Sequence, residues 1–542
     1  MRLSVLSAVL SPALLAAVSL AQGFVPGLDL DPRAVHIELG GSPAEETLAQ
    51  QDLAQAWAQD RLAVVSHPEH PQISLRIKQI GRKTEAYIQG TVPDSANDSF
   101  CDPTVNSWSG YIDLIDGKSL FFYFFESRDN PAKDPLVAWT NGGPGASSAI
   151  GLFQEHGPCR MKYTEDGKSA PGPITNGTTF NKYAWNSVAN MIFIDQPVDV
   201  GYSYSRYGVS SFSTDAAAVD MLAFIQLFLG AFPQYRKSDL YWSGESYGGR
   251  YLPVFGSTIV DHNKALTAKA ERKGVKPDAN KLINLRGVLI GNGWTSSARQ
   301  LPLYYDFLCT KRGGLEPLVG INDCKRMQVW KNKCTPWLLE TCVKNWNADD
   351  CLSAQERCTA ELLGAFAATK RNVYNAMDIC ARSEKGDCYA IDGAIVEFLN
   401  RDDVRDYLGA APAAKIGKFA EENEKVFRGF ALTEDEFVDT LGYVAGLLEN
   451  SVKVHAYAGS YDMICNWFGF RAIFKEMEWS RQDEFVSKEE RPWYVDGKRA
   501  GDTVTVGDFT WSTVAEAGHL VPYDQPERGL HLFSSWLSGK EM

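Results

Sequence analysis

The chain has 542 residues, 44% of them hydrophobic and 22% charged, enough apolar material for a sizeable core, which excludes wholesale disorder. Its 54 Lys and Arg against 67 Asp and Glu leave a formal net charge of −13, and no basic run carries interleaved aromatics, so nucleic-acid binding is not expected. At roughly 100–200 residues per domain, the length allows two to four units or one large α/β body with insertions.

Arg2 precedes an apolar, small-residue stretch from Leu3 to Leu20, and Ser19-Leu20-Ala21 offers small residues at a cleavage site. Residues 1–21 therefore read as a secretory signal peptide. Ser7, Ser11 and Pro12 interrupt the run, which weakens the rival reading as a membrane anchor. No later segment has 18 consecutive uncharged apolar residues, so no membrane association is expected after signal removal, and an extracellular or vacuolar fate is expected. Secretion permits disulfides among the 11 cysteines, eight of which fall between residues 309 and 388. There is no CxxC and no zinc-finger spacing, so no metal site is expected. Asn97-Asp98-Ser99 and Asn176-Gly177-Thr178 are glycosylation sequons.

Residues 22–96 differ in composition from the rest of the chain, with few aromatics and no cysteine, and read as a pro-segment. Within them Ala44 to Val65 is amphipathic and predicts one helix, broken by His67-Pro68-Glu69-His70-Pro71. From about residue 100, short apolar runs alternate with helical patterns. Ser119–Phe125, Leu136–Thr140, Ala189–Asp195, Asp239–Ser243, Leu285–Ile290, Val452–Ala458 and Phe509–Val514 predict strands. Thr214–Leu229 behind a Ser213/Thr214 cap, Tyr247–Val260 and Gln525–Leu537 predict helices. Such alternation implies a mostly parallel central sheet flanked by helices. Residues 296–435 carry the cysteine cluster, break the rhythm and read as an inserted helical cap; the catalytic domain is then 97–295 plus 436–542.

Gly244-Glu245-Ser246-Tyr247-Gly248 follows a predicted strand and opens a predicted helix, the setting of a nucleophile elbow. A serine hydroxyl needs a base. Five histidines lie beyond residue 100; His519, in a loop after a late strand, fits the order serine, acid, histidine, whereas His531 lies in the last helix and His455 inside a strand. Asp462, after the turn Gly459-Ser460-Tyr461, fits the acid, against the alternative of an ordinary turn aspartate. Two N–H donors for an oxyanion would come from Tyr247 and from the glycine-rich turn Asn141-Gly142-Gly143-Pro144-Gly145, which lacks the Lys-Ser/Thr of a phosphate loop.

Trp139 to Ser148, Gly244 to Gly249, Gly518-His519, Phe125 to Arg128, Asp195 to Val198 and Met463 to Trp467 together resemble the serine carboxypeptidase family, from about residue 108 to the C-terminus. The resemblance implies an α/β-hydrolase fold with a disulfide-rich cap, a triad of Ser246, Asp462 and His519, and Gly143 and Tyr247 as oxyanion donors. It implies that Asn141, Glu155 and Glu245, with Trp139 and the Gly142 N–H, hold a substrate's terminal carboxylate, the two glutamates sharing a proton. It implies the disulfides Cys309–Cys324, Cys334–Cys358, Cys342–Cys351 and Cys380–Cys388, leaving Cys101 and Cys159 to pair and Cys465 as a free thiol lining the site. The family usually has Cys where Ala146 stands, bridged to the cap; both halves are missing here. Trp294, Tyr304 and Tyr305 would make the acyl-side pocket aromatic, with Cys465 and Leu520 also in the substrate pocket. The expected activity is removal of single C-terminal residues from peptides through an acyl-enzyme, favoured at acid pH, with no cofactor. The rivals are an acyltransferase or esterase on the same scaffold, or a non-catalytic binding member.

Overall fold

The computed structural model describes residues 34–39, 43–67, 70–82, 100–311, 315–380 and 388–542; the signal peptide and the Asn97 sequon lie outside them. Lys118–Phe125, Leu136–Thr140 and Asn190–Ile194 are strands buried along their whole length. Continuous apolar runs suit a sheet that helices cover on both faces. The strands in chain order are β1 (Val35–Glu38), β2 (Ala63–His67), β3 (His70–Gly81), β4 (Ser107–Asp113), β5 (Lys118–Phe125), β6 (Leu136–Thr140), β7 (Cys159–Met161) and β8 (Thr178–Phe180). They continue with β9 (Asn190–Ile194), β10 (Tyr204–Ser205), β11 (Leu240–Glu245), β12 (Leu285–Gly291), β13 (Lys453–Gly459), β14 (Arg491–Val495), β15 (Lys498–Val506) and β16 (Phe509–Val514).

Among the described residues one 14-stranded sheet runs β1-β2-β3-β4-β5-β9-β6-β11-β12-β13-β16-β15-β14, with β10 on β5; β7 and β8 form a separate pair. Its centre, β9-β6-β11-β12-β13-β16, is parallel throughout. The carboxyl ends of β6, β11, β12, β13 and β16 therefore open on one edge, and in an open α/β sheet ligands bind there. This is an α/β-hydrolase fold. The helix Thr214–Ala231 starts as its cap predicts, with Ser213 Oγ accepting from the Ala216 N–H. It is long and apolar enough to cross a membrane, yet most of it is buried against the core.

The single helix expected over Ala44 to Val65 is divided. It runs Pro43–Ala58, the chain turns through Asp60 at φ 53°, and Ala63–His67 is β2. Val64 and Val65 are β-branched and pair better in a sheet than in a last helical turn. The N-terminal segment is thereby built into the main sheet: β3 pairs with β4 from Ser74 to Gly81, and Leu53, Val65, Leu75 and Ile77 are buried in the same core as Phe122 and Phe224.

Residues 297–367 form much of the cap. Helices Ile321–Leu338 and Ala348–Ala367 pack on each other around a core of their own that includes Met327, Leu338, Leu362 and Phe366. Cys309–Cys324, Cys334–Cys358 and Cys342–Cys351 staple it; Cys380–Cys388 and Cys101–Cys159 are the other disulfides, and Cys465 is a buried free thiol. At Ala146, the cap returns by backbone instead of a disulfide. Glu422 stands opposite it in an antiparallel bridge, with Ser147 N donating to Glu421 O at 2.7 Å and Asn423 N to Gly145 O at 3.0 Å. Asp435 ties the base of the cap to the catalytic side. It accepts from the Thr214 N–H and hydroxyl, both at 2.7 Å, and from the Tyr247 hydroxyl at 2.8 Å, with the Arg250 guanidinium alongside.

Candidate active site

β11 ends at Glu245 and the helix Gly248–Arg272 begins three residues on, so Ser246 and Tyr247 carry the whole turn. Ser246 sits at φ 60°, the left-handed region that side chains avoid, and is held there by backbone bonds: its N–H donates to Gly291 O at 3.1 Å and its carbonyl accepts from Trp294 N at 2.8 Å. Such a turn presents the hydroxyl above the sheet edge. The flanking Gly244 is required by space, since a Cβ there would lie 2.3 Å from Thr140 O.

His519 Nδ1 lies 2.9 Å from Asp462 Oδ2, and both side chains are buried. Asn292, the residue after β12 and itself at φ 42°, donates its amide to the same Asp462 oxygen at 2.7 Å; the Cys465 N–H reaches the other oxygen at 3.4 Å. The His519 N–H donates to Tyr374 O of the cap at 2.7 Å, which fixes the loop that carries the ring. The Cys465 thiol stands beside the Ser246 hydroxyl. Burial pushes its pKa well above the ordinary range, and the nearby Asp462 and Glu245 charges add to that. Asp462, Cys465 and His519 offer ligand atoms within 4.8 Å of one another, a set that suits a thiophilic metal ion better than a hard one.

The glycine turn after β6 faces this elbow. A Cβ on Gly142 would lie 2.4 Å from Tyr247 N and 2.7 Å from Ser246 Cβ, so only glycine lets the two loops meet. Gly143 has φ 104°. Among the described residues neither the Gly143 nor the Tyr247 N–H donates to a protein acceptor, which leaves both for an oxyanion.

Behind the turn, Asn141 donates to Glu245 Oε1 at 3.0 Å and to Glu155 Oε1 at 3.4 Å. Its own oxygen is held by Trp139 Nε1 at 2.7 Å and the Gly151 N–H at 3.0 Å. Trp139 is fully buried, so it orients Asn141 from below. Burial raises the pKa of both glutamates, Glu155 to about 7 and Glu245 well above the carboxylate range, the Glu155 charge and hydrogen bond adding to the latter. Both glutamates therefore hold protons more readily than ordinary carboxyls.

Asn141, Gly142, Gly143, Glu245, Ser246 and His519 all border one cavity of about 370 Å³. Leu520 lines it too. Trp294, Tyr304 and Cys465 lie outside that lining: Trp294 and Tyr304 stack with ring centres 6.4 Å apart, Trp294 Nε1 donates to Glu436 at 3.0 Å, and the Tyr304 hydroxyl to Ile464 O at 2.6 Å. Tyr305 packs on the cap core with Lys331 over its ring. The cap wall of the cavity, Tyr374, Tyr389, Asp392, Glu421 and Glu422, went unread in the sequence, as did Asn292, although it sits in the Gly291-Asn292-Gly293 turn. Asn176 is exposed, with its amide bonded to Lys162 and to Pro171 O. A larger depression of about 800 Å³ lies at the opposite, amino ends of β6 and β11, bordered by Lys133, Asp134, Lys237, Asp239 and His531, away from Ser246.

The serine carboxypeptidase family profile matches residues 98–539. Carboxypeptidase Y homolog A of Phaeosphaeria nodorum is 37% identical over 80% of this chain and 74% of its own length. The protein of the same name from Emericella nidulans is 38% identical over 85% and 78%. Among solved structures, Kex1, a prohormone-processing carboxypeptidase from Saccharomyces cerevisiae, superposes with a TM-score of 0.65 at 21% identity, covering 83% of this chain and 93% of that one.

Proposed function

Because the chain belongs to the serine carboxypeptidase family, we propose that it removes single residues from free peptide C-termini through an acyl-enzyme, favoured at acid pH. Ser246 Oγ attacks the last peptide carbonyl while His519 takes its proton, and Asp462 steadies the imidazolium that forms. The Gly143 and Tyr247 N–H groups receive the developing oxyanion. His519 returns the proton to the leaving amine, and water then hydrolyses the acyl-enzyme by the same route. Trp294, Tyr304 and Cys465 bound the acyl side, where large apolar residues fit best.

The observation that carries this reading is the cluster of Asn141, Glu155 and Glu245 beside Ser246. A protonated glutamate pair with an amide donor complements a carboxylate, and an ester or acyl donor has none to offer. Residues 1–21 direct the chain into the secretory pathway, toward the vacuole or the exterior, with Asn97 and Asn176 as glycan sites. Residues 22–96 act as the pro-segment of a catalytic domain made of 97–295 and 436–542, capped by 296–435.

A blocked dipeptide assay with and without a serine-directed phosphonate tests the reading. The expected result is release of the free C-terminal amino acid, abolished by the phosphonate and by Ser246→Ala, with the label mapping to Ser246. Turnover that survives Ser246→Ala would move the nucleophile elsewhere.

A further inference from the structure

β11, β12 and β13 run side by side, and their register sets Glu245, Gly291 and Tyr457 abreast in one row. Residues paired across a sheet point to the same face, so Glu245 and Tyr457 share a face with only a glycine between them. The tyrosine uses that gap. Its ring reaches across Gly291, where a Cβ would lie 2.5 Å from the Tyr457 hydroxyl oxygen and 2.5 Å from Cζ. The phenol is thereby laid from β13 over β12 toward Glu245 on β11, behind the carboxylate cluster.

The hydroxyl arrives there without a partner. Tyr457 is buried, and among the described residues its oxygen makes no hydrogen bond. Two other buried atoms share that condition: Glu155 Oε2, from the glutamate pair itself, and Ser243 Oγ, two residues before Glu245 on β11 and so on the same face. Leaving such groups unbonded is costly, and a buried water bonded to two or more of them is the usual remedy. Tyr457 keeps its proton, because burial and the nearby Glu245 and Glu155 charges push its pKa well above the ordinary range.

The other titratable groups around the pair do not replace it. His519 and Asp462 approach from the catalytic side, with Cys465 beyond Glu245. Arg160 donates to the Glu155 carbonyl at 3.1 Å, not to its carboxyl. His156 and His455 are held neutral by burial, and His455 bonds Ser512 Oγ at 3.0 Å.

We propose that Tyr457 is a positioning residue for the carboxylate cluster: its hydroxyl, through one buried water, donates to Glu155 and sets the pH at which the glutamate pair ionises. A donor favours the ionised form of a carboxyl, so Tyr457 opposes the effect of burial on the pair. This rests on the carboxypeptidase reading and assigns a residue that acts from behind the site.

The test is Tyr457→Phe, which keeps the ring over Gly291 and removes only the hydroxyl. KM for a free-acid blocked dipeptide is followed from about pH 5 to about 8. Its rise should move to higher pH by about half to one unit, so that at about pH 7.5 the variant has the lower KM, by roughly two- to threefold. kcat, and KM for the amide-capped dipeptide, should match the wild type. A general loss of structure would instead raise KM at every pH. An unmoved KM rise in the folded variant overturns the proposal. A high-resolution crystal structure of the wild type decides it without the variant: a water within about 3.2 Å of both Tyr457 Oη and Glu155 Oε2 is expected, and a dry contact region overturns the proposal. If the wild type releases no C-terminal residue, the carboxypeptidase reading fails, and the crystal structure still decides whether Tyr457 is linked to Glu155.

Discussion

Asn292 and His519 meet on a single oxygen of Asp462, at 2.7 and 2.9 Å. That oxygen is thus shared by the ring and the amide, and its direction toward His519 depends on a side chain that follows a different strand, β12. Asn292→Ala removes one charge-assisted hydrogen bond, worth roughly 1.5–3 kcal/mol, so kcat should fall about 10- to 100-fold. KM for a free-acid peptide should change little, because Asn292 does not touch the carboxylate cluster. An unchanged kcat would show that the packing around Asp462 holds it without Asn292.

The glutamate pair sets the pH dependence of binding. Glu155 is raised to about 7 and Glu245 further, so the pair is protonated in mild acid and can donate to a substrate carboxylate. Above about pH 7 Glu155 ionises, one more carboxylate then stands beside the substrate's own, and KM should climb. kcat should not collapse over the same range, because the glutamate pair binds the terminal carboxylate and takes no part in the proton transfers at Ser246. Amide-capped substrates should lose the acid optimum, and Glu245→Gln should flatten the KM rise. A KM for free-acid peptide that stays level from pH 5 to about 8 would contradict that ionisation.

Fold stability should also favour acid. Burial raises Asp195 and Asp524 to about 6 and Glu155 to about 7. These groups hold protons in the folded chain that the unfolded chain releases, so their contribution is complete below about pH 4 and is lost as pH rises through about 6 to 7. His156 and His455, buried and pushed down, His455 to about 3, act oppositely: their contribution is present above about pH 6.5 and is lost as pH falls. The raised carboxyls outnumber them, so the melting temperature should be several degrees higher at about pH 5.5 than at about 7.5. Calorimetry at the two pH values decides it; a higher value at the alkaline end would mean that those carboxyls are hydrated in solution.

Cys465 should make the enzyme sensitive to mercurials and slow to alkylate. The thiol stands beside Ser246 and stays protonated near neutrality, which suppresses attack on iodoacetamide. A mercurial binds sulfur without that limit and fills the site. Cys465→Ser should remove the mercurial sensitivity and retain measurable turnover. Rapid iodoacetamide modification of the native enzyme at pH 7 would contradict the buried, protonated state.

Much of the architecture is legible along the chain because its signals are local. Leu136–Thr140 and Phe509–Val514 are strands at the predicted bounds, being short apolar runs closed by turns. The turn at Ser246 announces itself through glycines that steric contact demands, Gly244 against Thr140 O above all. What lies outside such patterns was decided by tertiary structure. The stretch Ala44 to Val65 has helical spacing throughout, and only pairing of β2 with β3 turns Val64 and Val65 into a strand. Asp392, Glu421 and Glu422 look like any solvated charges in sequence; they become a cavity wall because the cap folds back and bridges Ala146. Asn292 has no periodicity to mark it, and its role exists only because parallel β12 and β13 end side by side, bringing it under Asp462. Local composition can specify an element, but which side chains share a cavity depends on register and on where distant segments close, and neither is encoded in neighbouring residues.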